Sequence, residues 1–104
     1  MPIMQISITP LGTKTTSVSR YIADALKILK KETKIKYQLT AMATIIEADS
    51  VDKLLNIAKK MHKAILSKNK DLKRIVTVIN IDDRYDKKLT IEGKIKSVSK
   101  KIGD

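Results

Sequence analysis

Two hydrophobic periods alternate along this chain, and their order limits its fold more than any other feature. Residues 3 to 9, IMQISIT, place Met4, Ile6 and Ile8 on one side and Gln5, Ser7 and Thr9 on the other, as in a half-buried strand. PLGTKTT then reads as a loop, and Thr16 or Ser17 is placed to cap a helix running to about Lys31. Its stripe, Val18, Tyr21, Ile22, Ala25, Leu26 and Leu29, has helical spacing. Residues 35 to 48, IKYQLTAMATIIEA, read as two short strands around a turn near Ala41 and Met42, without the Gly or Asn that hairpin turns favour. Ser50 caps a second helix with a stripe of Val51, Leu54, Leu55, Ala58, Met61, His62 and Ile65, closed by SKNKD. RIVTVINID, rich in β-branched residues, is the strongest strand. A last helix is expected from about Ile91 to Ile102, with apolar residues at 91, 95, 98 and 102.

The resulting order, β-α-β-β-α-β plus a helix, belongs to the α+β class. It predicts a ferredoxin-like sandwich with an additional C-terminal helix, as one domain over residues 1–104. Both main helices should cover one face of the sheet, with the first and third strands central. The other face should carry Gln5, Ser7 and Thr9, together with Val76, Val78, Asn80 and Asp82. Ile75, Thr77, Ile79 and Ile81 then go to the helices. A sheet face with valines and hydroxyls but few charges is expected to become an oligomer interface, a ligand floor, or both.

The formal charge of +11 calls for a reason. Clustered cations would neutralise phosphates and bind nucleic acid, but nineteen Lys stand against three Arg, and Phe and Trp are missing. Base reading and stacking draw on Arg and aromatics, and the lysines spread over every expected helix. The balance favours a solvated surface over a nucleic-acid partner. No run approaches the roughly 20 apolar residues of a membrane span, and MPIMQISITPLG lacks the basic start of a signal peptide. A cytoplasmic protein is expected, and zero Cys fits a reducing compartment.

Few residues suggest chemistry. Asp82, Asp83 and Asp86 crowd into DDRYD, but without the alternating oxygens, Gly and distant Glu of a calcium loop. Adjacent strand residues diverge, so Asp82 and Asp83 make a poor catalytic pair. A strand-end turn with Arg84 or lysine partners leads, followed by a ligand-site role and then a metal. His62, the only His, sits on a core stripe without a second metal ligand at workable spacing. Glu47 is one of three Glu and follows TII near a strand end, where a half-buried carboxylate needs a partner. GTKTTSVS lacks the phosphate-loop pattern, and a plain helix cap explains it better than anion binding. Neither a nucleophile–base pair nor a metal constellation is apparent, so no enzyme is expected.

ISITPLGTKTTSVSRYIADAL, KYQLTAMATIIEAD, KKMHKAI and RIVTVINIDDRYDKKLTIEGKIKSV are similar to the small archaeal, bacterial and yeast proteins of the thiamine-binding protein family. The resemblance covers almost the whole chain, with Ala43 where Gly is expected and Asn80 where Lys is expected. It implies a homo-oligomer, usually a tetramer, that binds thiamine or its hydroxymethylpyrimidine part without catalysis or a separate cofactor. On that reading Glu47 is the central ligand residue. It is grouped with Ser7 and Ala43 on the open face, with Thr40 and Asn80 at the ring edge and Asp82 nearby. The alternative is a basic nucleic-acid-associated or purely structural oligomer.

Overall fold

The computed structural model describes residues 1–103. Ile3–Leu11 (β1), Lys36–Leu39 (β2), Thr44–Glu47 (β3) and Arg74–Asp82 (β4) form one antiparallel sheet of order β2-β3-β1-β4. The first and third strands are therefore central, as expected. Ser19–Lys31 (α1) and Val51–Lys68 (α2) cover one face, and Ile91–Lys101 (α3) follows β4.

The core is where the strand and helix periods meet. Met4, Ile6 and Ile8 of β1 and Ile46 of β3 pack with Tyr21, Ala25 and Leu29 of α1. Leu54, Ile57, Ala58, Met61 and Ile65 of α2 complete it. Each fully buried large aliphatic side chain contributes about 1.5–3 kcal/mol. On α2 the stripe is rotated from the expected one: Ile57 is buried and Leu55 is exposed.

Three boundaries differ from expectation. β1 runs through Pro10 to Leu11, because beyond Ile6 it pairs only with β4, leaving no β3 ladder there for proline to interrupt. α1 begins at Ser19 with Val18 as an N-cap that makes no side-chain bond. The upstream hydroxyls bond elsewhere: Thr13 Oγ1 donates to Thr15 O, Thr15 Oγ1 accepts from Ser17 N, and Ser17 Oγ lies 3.3 Å from Ser19 Oγ. α3 ends at Lys101, one residue before the expected Ile102. Ser50 caps α2 as expected, its Oγ accepting from Lys53 N at 3.1 Å.

The turn between β2 and β3 dispenses with glycine by using one side chain. Thr40 Oγ1 donates to Ala43 O at 2.7 Å and accepts from Ala43 N at 3.1 Å. β4 is an edge strand, so Ile79 and Ile81 face the helical side yet stay about a third exposed, less covered than their alternation implied.

Candidate functional site

Antiparallel pairing puts opposed residues on one face, which assembles the open side of the sheet row by row. Ile3 lies opposite Glu47 on one side and Asp82 on the other, while Glu47 also faces Lys36. One row further, Gln5 is flanked by Ile45 and Asn80, with Gln38 beyond Ile45. The N-terminal part of α3 spans these two rows. Glu47, only 3% exposed, accepts a hydrogen bond from Ile91 N through Oε1 at 2.8 Å. Lys94 Nζ reaches Asp82 Oδ2 at 2.5 Å, and Lys36 Nζ lies 3.4 Å from Glu92 Oε1. Thr90 caps the helix by accepting from Gly93 N at 2.9 Å.

Beneath that first turn is a cavity of about 400 Å³, within the size range of small-ligand sites. Gln5, Gln38 and Asn80 supply carboxamides, Ile45 supplies an apolar floor, and Lys94 and Ile95 come from α3. Thr40 and Asp82 complete two of its walls. Asn80 Nδ2 donates to Gln5 Oε1 at 3.2 Å, so the amides form an ordered polar row.

The expected site residues divide among three places. Thr40, Asn80 and Asp82 line the cavity. Ser7 and Ala43 lie instead along a second, larger groove of about 750 Å³ between the β2–β3 turn and the start of α1, which Thr40 also borders. Glu47 is on the open face as expected but does not line the cavity; its oxygen is held by the α3 backbone. Gln38, Lys94 and Ile95 were not foreseen. Gln38 follows from the hairpin register alone, whereas the α3 residues carry no local sign of what they cover.

The DDRYD segment resolves into local pairs. Arg84 Nε and Nη2 donate to the two carboxylate oxygens of Asp86 at 2.6 and 3.0 Å, and Tyr85 Oη donates to Asp83 at 3.0 Å. The Arg84 hydrogen bond holds the Asp86 carboxyl below its ordinary range, and the Asp83 bond raises the Tyr85 phenol. Asp82 turns instead to Lys94. Among the described residues, no group of three His, Asp or Glu side chains could hold a metal ion. His62 Nδ1 lies 2.6 Å from Thr77 Oγ1, which ties α2 to β4. No helix among the described residues is long and apolar enough to cross a membrane.

Comparison with known proteins agrees with this architecture over nearly its full length. A family model described as thiamine-binding protein matches residues 4–99. The UPF0045 protein YqgV of Bacillus subtilis is 49% identical over 98% of each chain. A UPF0045 protein of Methanothermobacter thermautotrophicus is 38% identical, over 94% of this chain and 96% of its own. The crystal structure of hypothetical protein MJ1052 from Methanocaldococcus jannaschii superposes with a TM-score of 0.83 at 38% identity, covering 94% of this chain and 95% of that one. The chain belongs to the thiamine-binding protein family.

Proposed function

We propose that this protein binds thiamine, or its hydroxymethylpyrimidine part, in the cavity beneath α3, and that it does so without chemical conversion. The carboxamide row on the cavity floor carries this reading. An aminopyrimidine edge offers an amino donor beside a ring-nitrogen acceptor, and a carboxamide presents the matching acceptor and donor. Gln38 and Asn80 supply such groups at the two sides of Ile45 and Gln5, while the Ile45 and Ile95 side chains suit a flat ring. The permanent positive charge of a thiazolium would sit near Asp82, in exchange for part of the Lys94 contact. Glu47 acts here as a positioning residue, holding the roof rather than touching the ring. The wall hydroxyl, Thr40, gives its hydrogen to Ala43 O, so no nucleophile is paired with a base.

The strand order and the two helices on one face support a ferredoxin-like description with α3 as the addition. We read the protein as a cytoplasmic homotetramer. Its lysines engage scattered partners (Lys53 on Thr33 O, Lys60 on Glu32, Lys94 on Asp82), which favours a solvated surface over a nucleic-acid footprint. One observation favours a second reading, a purely structural oligomer: Ile95, Val98 and Ile102 of the α3 segment are 55%, 60% and 67% exposed. Calorimetric titration with thiamine and with hydroxymethylpyrimidine separates the two. The ligand reading expects saturable binding that Asn80→Ala weakens about tenfold, roughly 1.4 kcal/mol. Absence of binding by either compound to folded, oligomeric protein would overturn it in favour of the structural oligomer.

A further inference from the structure

We infer that the cleft between α2 and β4 is a binding site for a phosphate-class oxyanion, held by Lys59 and Lys63 with the ring of His62 between them. The inference is independent of the thiamine reading, because this cleft lies on the helical side of the sheet and the carboxamide row on the other.

α2 carries Lys59, His62 and Lys63 at i, i+3 and i+4, so all three project from one face of the helix. Thr77 and Ile79 stand across from them, and the cleft between encloses about 360 Å³. None of its lining residues is acidic. Three other lysines of the two packed helices have oxygen partners: Lys27 on Asp24, Lys53 on Thr33 O and Lys60 on Glu32. Lys30, Lys31 and Lys68 sit in the last turns of α1 and α2, where the carbonyl ends of the helices favour cations. Lys59 and Lys63 have neither form of compensation. They lie in the middle of α2, without an ion pair among the described residues, and the only acidic residue of the helix, Asp52, is in its first turn. Like charges four residues apart on a helix repel, and an anion between them relieves that repulsion.

His62 supplies the orientation. Its Nδ1 lies 2.6 Å from Thr77 Oγ1, which fixes the ring and leaves Nε2, on the far side of the imidazole, to the cleft. With the threonine hydroxyl donating to Nδ1, the proton of the neutral ring resides on Nε2, which then donates to the anion. The two ammonium groups add charge-assisted bonds. A lysine is a compact charge with three rotatable donors, which suits the tetrahedral oxygens of a phosphate; the planar fork that matches a carboxylate belongs to Arg, and none lines this cleft. Leu55 and Ile79, 46% and 36% exposed, form an apolar wall on which the organic part of a phosphate monoester can rest.

His62 is the only histidine, so in the untagged protein its ring protons give one isolated NMR signal at the site. Titration with inorganic phosphate and with phenyl phosphate, at constant pH and ionic strength, should move that signal saturably, whereas sodium chloride should not. Lys59→Ala combined with Lys63→Ala should weaken phosphate binding at least about tenfold. Lys30→Ala combined with Lys31→Ala removes the same charge from α1 and should change it by less than about twofold. Thr77→Val frees the ring while leaving both lysines, and should weaken binding about threefold. Tighter binding of phenyl phosphate assigns the site to an ester resting on Leu55 and Ile79, and tighter binding of inorganic phosphate assigns it to the free ion; either result supports the anion site. An equal response to chloride, or equal losses in the two lysine pairs, would overturn it in favour of the diffuse charge of a lysine-rich surface. Failure of both phosphates to move the His62 signal saturably would overturn it outright.

Discussion

Glu47 Oε1 and Ile91 N, forty-four positions apart, meet at 2.8 Å and join the end of a central strand to the first turn of the terminal helix. A carboxylate near the start of a helix is favoured by the unpaired N–H groups and the dipole there. Few other contacts hold α3, none of whose residues is buried. The radius of gyration, 15.1 Å, exceeds the roughly 13 Å of an average chain of this length, consistent with a helix that projects beyond the body. The roof of the cavity therefore depends on a small number of polar contacts at one end.

The first prediction follows from that dependence. Glu47→Ala removes the acceptor and leaves the Ile91 amide unpaired, which should cost about 1–3 kcal/mol in urea unfolding. Amide exchange along α3 should accelerate, and thiamine affinity should fall at least tenfold as the roof loosens. Glu47→Gln keeps a carbonyl oxygen at the same place and should lose less on each measure. A direct ligand contact would instead leave α3 protection unchanged in both variants while affinity still fell.

Most of the scaffold was legible from its periods. Met4, Ile6 and Ile8 had to share a face, and the β-branched run to Asp82 had to be a strand. The same arithmetic placed Glu47, Ser7, Asn80 and Asp82 on the open side. What stayed hidden were contacts without a residue-type signature. Glu47 is satisfied by a backbone N–H, which any residue at position 91 would provide. The start of α1 was misplaced because the Thr13 and Thr15 hydroxyls bond within the loop and the Ser17 hydroxyl pairs with that of Ser19, although as residue types they are good caps. The α3 stripe revealed an amphipathic helix but not its seat, since amphipathicity states that a face seeks cover and not where.

Thr40 joins the hairpin to the cavity. Its hydroxyl donates to Ala43 O and accepts from Ala43 N, replacing the turn chemistry that glycine or asparagine would supply. Thr40→Ala should destabilise the protein by about 1 kcal/mol and shift Gln38, two residues earlier in the same wall. Thr40→Ser should keep both bonds and most of the stability. Thermal unfolding of the two variants checks this, and equal losses would assign the effect to the threonine methyl instead.

The Arg84–Asp86 pair supplies a pH prediction. Arg84 stabilises the charged form of Asp86, so the folded-state value lies below the unfolded one. The contribution is therefore present above the ordinary carboxylate range and is lost as pH falls through the lowered folded value. Because both side chains face solvent, the effect should show in the titration of Asp86 and not in global stability. Arg84→Ala should move the Asp86 midpoint up, as followed by NMR of its carboxyl carbon, with no change in the unfolding midpoint at neutral pH.

Gly93 and Thr90 provide the last test, because two known effects oppose each other at one site. Alanine in place of a helical glycine ordinarily stabilises by up to about 1 kcal/mol. Here an added Cβ at Gly93 would stand 2.7 Å from Thr90 Oγ1, the atom that caps the helix by accepting from Gly93 N. That oxygen would have to rotate away, giving up a cap worth about 1 kcal/mol. Gly93→Ala alone should therefore be close to neutral. In a Thr90→Ala background the hydroxyl is gone and the cap already lost, so the same Gly93→Ala change should regain its full propensity benefit. Chemical denaturation of the four proteins in this cycle measures the coupling, expected near 1 kcal/mol. Additive changes would mean that the Thr90 hydroxyl is not what keeps residue 93 a glycine. The cavity offers an independent reading of the same cycle: thiamine affinity should follow the stability of the first turn of α3, since that turn carries Ile91 and Lys94.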